Sequence, residues 1–191
     1  MLLKTSLLSF LLLSTFFIQG CSKQKEQEQT ATHKAKTTLS TNAYTFTTLK
    51  NTKIVLQKTK NGFALKDAPS KILLLDIFAT WCPPCQASAS HLASLQKKYK
   101  NEIKVIGVSI EDGIAQNTLQ EFQKQHHANY TLVNSSNSRH LINDIAHQLN
   151  IKNNFGIPLL AIYKDGKLIH FYQGMVEEEF LNNDIKQALG K

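Results

Sequence analysis

Arginine occurs once, at Arg139, in a chain of 191 residues that still carries a formal net charge of +8. Its basic balance is lysine, thinly spread, with no clustered Arg/Lys stripe and no interleaved aromatics. That distribution excludes a nucleic-acid interface. Cysteine is scarce too: there are three, and only Cys82 and Cys85 lie beyond the N-terminal region. A chain relying on disulfides for stability carries more, so a pair this isolated is there to react. A zinc knuckle would need two further Cys or His ligands at close spacing, and none is in place. No internal repeat is visible.

What is present is Trp81-Cys82-Pro83-Pro84-Cys85, placed directly after the apolar run Ile72 to Phe78 and opening a segment with helical spacing (Ala89, Leu92, Ala93, Leu95, Gln96, Tyr99). A strand that ends on a cysteine delivers its sulfur to a helix N-terminus. There the unpaired N–H groups and the helix dipole favour thiolate over thiol. The spacing therefore predicts Cys82 as the attacking sulfur and Cys85, one helical turn on, as the resolving one.

The third cysteine belongs to a different device. Residues 1–20 carry Lys4, an apolar stretch from Leu7 to Ile18, and Gln19-Gly20 before Cys21. This reads as a secretory signal, too short to be taken as a spanning helix. A small residue before a cysteine resembles the bacterial lipobox, in which that cysteine is lipidated and becomes the mature N-terminus. Ile18 and Gln19 depart from the usual upstream pattern, and the plain alternatives are an unmodified signal peptide or an uncleaved anchor.

Residues 21–41 are polar and lack apolar periodicity, so they read as a flexible tether that cannot offset its ordering entropy by burial. Lys23, Lys25, Lys34 and Lys36 suit either anionic headgroups or plain solvation. Residues 42–191 remain for one domain with a proper core.

Along that domain, Tyr44 to Leu49 and Lys53 to Gln57 read as a hairpin, with Asn61-Gly62 as a following turn. Ile72 to Phe78 is a central strand covered on both faces. A helix from Cys85 to Lys100 and a strand from Lys104 to Ile110 complete a β-α-β unit with parallel pairing. Next come a helix from Ala115 to His127, a short strand at Tyr130 to Val133 and a helix from Arg139 to Leu149. A hairpin follows (Leu159 to Tyr163 and Leu168 to Tyr172, turning at Asp165-Gly166), then a helix from Glu177 to Leu189.

This α/β order, with C-x-x-C after the first core strand, resembles thioredoxin over roughly Tyr44 to Leu189. It resembles more closely the membrane-tethered TlpA/ResA-like branch, which carries an N-terminal β-hairpin, a W-C-x-P-C motif and a central α-β insertion, here at about Asp112 to Val133. The resemblance implies a thioredoxin-like fold, a central mixed β-sheet flanked by helices. It implies a cis bond at Ile157-Pro158 beside the cysteines, chemically reasonable because cis costs little before proline, with the Ile157 backbone offered to a substrate by strand addition.

Asp76 lies within the apolar run, so burial should raise its pKa; the resemblance makes it a candidate base for Cys85. Many reductases of this branch instead place a glutamate three residues after the second cysteine, where this chain has Ser88. Pro84 matches the family proline and suits a first helical turn, Pro83 stiffens the loop, and together they are expected to tune the redox potential. Trp81 is expected to shape the docking face, with core packing as its alternative, and Leu159 stands where the family often has threonine. His91, His126, His127, His140, His147 and His170 read as surface positions, and no metal or cofactor is expected.

The implied activity is that of a cell-envelope protein thiol:disulfide oxidoreductase, lipid-anchored and facing the periplasm, working as a reductant. The family's usual client is apocytochrome c, and its usual electron donor is a transmembrane thiol transporter of the DsbD/CcdA kind. The rivals are a disulfide oxidase or isomerase and a copper-handling thioredoxin-like lipoprotein, the latter disfavoured by the two-residue spacer.

Overall fold

The computed structural model describes residues 42–134, 138–152 and 154–191. The signal segment, Cys21 and the tether lie outside the described residues. In chain order the elements are β1 (Ala43–Thr48), β2 (Lys53–Lys58), β3 (Phe63–Leu65), β4 (Ile72–Phe78), α1 (Pro83–Lys98), β5 (Ile103–Ser109), α2 (Gln116–Gln125), β6 (Thr131–Asn134), α3 (Ser138–Gln148), β7 (Leu159–Lys164), β8 (Lys167–Gln173) and α4 (Glu178–Leu189). They build one eight-stranded mixed sheet in the order β3-β2-β1-β6-β5-β4-β7-β8.

Every residue of β4 is buried, as a near-continuous apolar run in a doubly covered strand requires. It pairs parallel with β5 and antiparallel with β7. The two-residue period of the strand then divides its side chains between two cores. Ile72, Leu74 and Phe78 pack with Cys82, Cys85, Ala89, Leu92 and Leu95, and with Leu181 and Ile185 of α4. Leu73, Leu75 and Ile77 pack with Leu141 and Ile145 of α3 and with Tyr44, Phe46 and Leu56 of the hairpin. Each such fully buried side chain contributes about 2 kcal/mol of transfer free energy. Asp76 takes its place in the first series, on the face that α1 covers.

The structure differs from the sequence expectations in several places. The first helix begins at Pro83 rather than Cys85, because the first two helical positions have no N–H to contribute and both prolines fit there. Pro83 therefore does not stiffen a loop; it is the first residue of α1. The three-residue β3 was not anticipated, being too short to show a period; it follows Asn61-Gly62 and pairs with β2.

The α-β insertion consists of α2 and β6, with Tyr130 just ahead of the strand. Strand β6 joins the core sheet to the hairpin, pairing parallel with β5 and antiparallel with β1. Asp165 and Gly166 turn the final hairpin with φ of 50° and 73°, the left-handed pair that matches strand twist. Among the described residues no helix is long and apolar enough to cross a membrane.

Candidate functional site: the Cys82–Cys85 centre

Strand β4 ends at Phe78, and the four residues that follow carry the chain to Cys82, the N-cap of α1. Cys82 and Cys85 are joined as a disulfide with Cα atoms 5.2 Å apart. The backbone N–H of Cys85 donates to Cys82 Sγ at 3.4 Å, so the sulfur takes the role that a Ser or Asp side chain usually fills at an N-cap. The first turn of α1 contains no acidic residue, which leaves its dipole uncompensated and available to a thiolate. Both cysteines are 3% exposed, so accessibility does not distinguish them; the N-cap position of Cys82 does.

Thr80, two residues before Cys82, is held from both sides. Glu111, at the end of β5, accepts from the Thr80 N–H at 2.7 Å and from its hydroxyl at 3.0 Å, and also from Ser109 Oγ at 3.1 Å. Gln86 Nε2 donates to the Thr80 carbonyl at 2.7 Å. This ties the segment entering Cys82 to the neighbouring strand and to α1. Trp81 projects outward from it, 64% exposed, which rules out core packing as its role.

On the other flank the Ile157–Pro158 peptide bond is cis. The Ile157 carbonyl oxygen lies 3.8 Å from Cys82 Sγ, so residues 75 positions apart meet at one sulfur. Pro158 and Leu159 are buried, and Ile157 is half-buried. Met175 and Phe180, both beyond β8, expose large apolar surface.

On β4, the strand that leads into Cys82, Asp76 is 3% exposed. Loss of water around its carboxylate pushes the pKa from 3.8 up to about 7, and a hydrogen bond from Tyr130 partly opposes that rise. Tyr130 Oη donates to Asp76 Oδ2 at 3.0 Å. Burial, and the Asp76 charge and hydrogen bond, raise the Tyr130 pKa well above its ordinary value, so the phenol remains a donor.

Sequence reasoning placed Tyr130 at the start of a strand and gave it no role at the site. The signal that could have found it is Gly107 in the middle of a buried strand, a place where glycine marks a close approach. Gly107 is the β5 partner of Asp76, and a Cβ there would lie 3.0 Å from Tyr130 Cε2 and 2.6 Å from Leu132 Cδ2. The glycine therefore leaves room for the ring that reaches Asp76. Ser88, at the position where the related reductases carry glutamate, is buried and its hydroxyl donates to the Pro84 carbonyl at 2.8 Å.

The reading of His91 as a surface residue needs correction. His91 on α1 has its Nδ1 sealed from solvent and without a partner among the described residues. Helical spacing places position 91 at the margin of the apolar stripe, so the sequence pattern gives no hint of it. Among the described residues no three His, Cys, Asp or Glu side chains converge as metal ligands. A cavity of about 630 Å³ near Lys50, Lys53 and Lys104 opens beside the hairpin and touches neither cysteine.

Comparison with known proteins fits this architecture. The thiol:disulfide interchange protein of the thioredoxin family from Chlorobium tepidum TLS superposes with a TM-score of 0.61 at 17% identity, covering 78% of this chain and 94% of that one. A putative thiol:disulfide interchange protein DsbE from Chlorobium tepidum gives 0.53 at 23% identity, covering 72% and 94%. At these identities the likeness establishes the fold.

In sequence, the thioredoxin-like protein YneN of Bacillus subtilis is 39% identical over 46 residues, which is 24% of this chain and 27% of that protein. The chain spans between 27% and 57% of the length of such curated relatives. Residues 45–189 match the Redoxin family, and with the C-x-x-C centre built on this sheet the chain belongs to that family as a thioredoxin-like member.

Proposed function

We propose that this chain is a protein thiol:disulfide oxidoreductase of the bacterial cell envelope that works as a reductant. The observation that carries the reading is Cys82 at the N-cap of α1, beside the Ile157 carbonyl, with a buried carboxyl at Asp76 on the strand that leads into it. In the dithiol form the Cys82 thiolate attacks one sulfur of a substrate disulfide and expels the other as a thiolate, leaving a mixed disulfide. Asp76 takes the Cys85 proton, and the Cys85 thiolate attacks Cys82 Sγ. The second substrate sulfur leaves reduced, and the Cys82–Cys85 disulfide remains. Two electrons pass from the pair to the substrate.

An extended substrate segment would lie along the Ile157 backbone, with Trp81 on the outer face; main-chain pairing of that kind tolerates many sequences. Pro83 and Pro84 fix the first turn of α1 between the two sulfurs and so bear on the potential. Because the envelope is kept oxidising, the reductant has to be recharged from the membrane. Resemblance to the TlpA/ResA branch supports a transmembrane thiol transporter of the DsbD/CcdA kind as donor and apocytochrome c as client.

The reduction potential of the pair, equilibrated against dithiothreitol or glutathione, tests the direction. A value near that of thioredoxin, about −270 mV, is expected; one near about −120 mV identifies a disulfide donor instead.

We further propose that lipid on Cys21 holds the domain to a membrane, facing the periplasm, through the polar segment 22–41. Cells fed labelled palmitate should incorporate it into the wild-type chain and not into Cys21→Ser. Equal labelling of the two would place the anchor elsewhere.

A further inference from the structure

Between β4, α1 and the chain entering α4 lies a small cavity whose wall includes Asp76, Ser88, His91, Pro158, Leu160 and Val176. It leaves about 10 Å³ for the centre of a water molecule, close to what a single water needs. Three of its wall residues offer polar side chains. The Ser88 hydroxyl spends its proton on the Pro84 carbonyl and so presents lone pairs. Asp76 has one oxygen held by Tyr130 and the other unbonded among the described residues. His91 Nδ1 is the buried atom that no described residue partners. A buried water is stable with two to four polar partners, and these three groups supply that number.

His91 also reaches outward. As a whole it is half-exposed, and among the described residues its Nε2 has neither a hydrogen bond nor a place among the sealed, unpartnered atoms. The ring thus lines the cavity, is partly exposed and has its Nδ1 sealed from solvent. Imidazole is suited to this, since it can accept a proton at one nitrogen and release another from the second. No other polar side chain lines this cavity.

We propose that His91, through one water in this cavity, carries protons between Asp76 and bulk solvent while Cys85 resolves the mixed disulfide. The inference rests on the reading of Asp76 as the base for Cys85. The proton leaving Cys85 passes to Asp76, from there to the water and His91 Nδ1, and an Nε2 proton leaves to solvent. The sulfur exchange is unchanged by this: the Cys82–Cys85 bond forms, the bond from Cys82 to the substrate breaks, and the departing thiolate takes a proton from water. His91 touches neither substrate nor the reacting sulfurs, so it acts as a positioning and relay residue.

The test uses the full-length chain in single-turnover mixing with a peptide disulfide, followed by Trp81 fluorescence. First attack is measured separately in a Cys85→Ala background. His91→Gln should slow resolution about a hundredfold, the lower end for a proton-transfer role, and leave first attack unchanged. In His91→Gly, added imidazole should restore resolution, which a purely structural role of the ring would not allow.

Normal resolution in His91→Gln alongside slow resolution in Asp76→Asn overturns the relay and leaves the base intact. Normal resolution in Asp76→Asn removes the base and the relay with it. A slow His91→Gly that imidazole does not restore makes His91 a packing residue and overturns the proposal.

Discussion

Cys85→Ala is expected to accumulate substrates as mixed disulfides on Cys82, whereas Cys82→Ser should capture none. The two sulfurs are equally buried, so the asymmetry is electrostatic and positional. Cys82 is the N-cap, takes an N–H bond from Cys85 and lies against the Ile157 carbonyl. Cys85 sits within the first turn and packs into the core shared with Ala89 and Leu92. Removing the attacking sulfur should lower turnover by about a thousandfold or more, as loss of a nucleophile does elsewhere. Removing the resolving one should leave first attack near wild type and stop the reaction at the adduct. Adducts recovered on Cys85 from Cys82→Ser, and none on Cys82 from Cys85→Ala, would reverse the assigned order.

Asp76→Asn is expected to make the protein more stable above neutrality and to make no difference in acid. In the unfolded chain the carboxyl titrates near 3.8; in the fold, burial raises it to about 7. The folded state therefore binds this proton more tightly. Its contribution is fully present below pH 3.8 and is lost as pH rises through about 7. Above that, the wild-type fold carries a charge that burial disfavours, at a cost on the order of 4 kcal/mol.

Asparagine removes the charge while keeping an oxygen to accept from Tyr130, so the gain should grow between pH 4 and pH 7 and then level off. Urea unfolding at pH 4.5, 6 and 8 measures it. Coincident curves at pH 8 would mean that Asp76 is not an acid of raised pKa. The same substitution should slow resolution more than first attack, so one change should raise stability and lower activity together. That trade is expected where a strained or desolvated group serves a reaction.

The Cys82–Cys85 centre was legible because its parts are local. A strand-length apolar run, a cysteine at its exit, prolines that fit a first helical turn and a resolving cysteine one turn on are all set within fifteen residues. The buried Asp76 was legible for the same reason, as a carboxyl inside that run. Leu73, Leu75 and Ile77 could be assigned to a core from the run itself, though not to a different core from Leu74 and Phe78. Which helix covers which face depends on crossovers that no local pattern encodes.

Two contacts built across long separations, for which the resemblance offered no guide, escaped. Tyr130 meets Asp76 across 54 residues and Glu111 meets Thr80 across 31. The first exists because β5 lies between β4 and β6 with Gly107 opposite Asp76, the second because β5 runs parallel to β4 and ends beside Phe78. The insertion was expected, but its strand's place between β5 and β1 was not, since strand order follows from pairing energies spread over the whole sheet. His91 escaped because a helix residue at the margin of an apolar stripe looks the same whether its ring lies over solvent or reaches into a cavity.

By itself, then, the sequence determined the cysteine pair at a strand-to-helix junction, the alternation of strands and helices, and the presence of a buried acid, because each is decided by side-chain chemistry and spacing over one or two turns. Only the tertiary structure decided what surrounds them. Tyr130 holds Asp76 over a glycine that leaves it room, Glu111 holds the segment leading into Cys82, Ile157 is brought to the sulfur, and His91 turns one nitrogen inward. These depend on which strands become neighbours, and that choice is made by burial of the whole sheet rather than by any residue near the site.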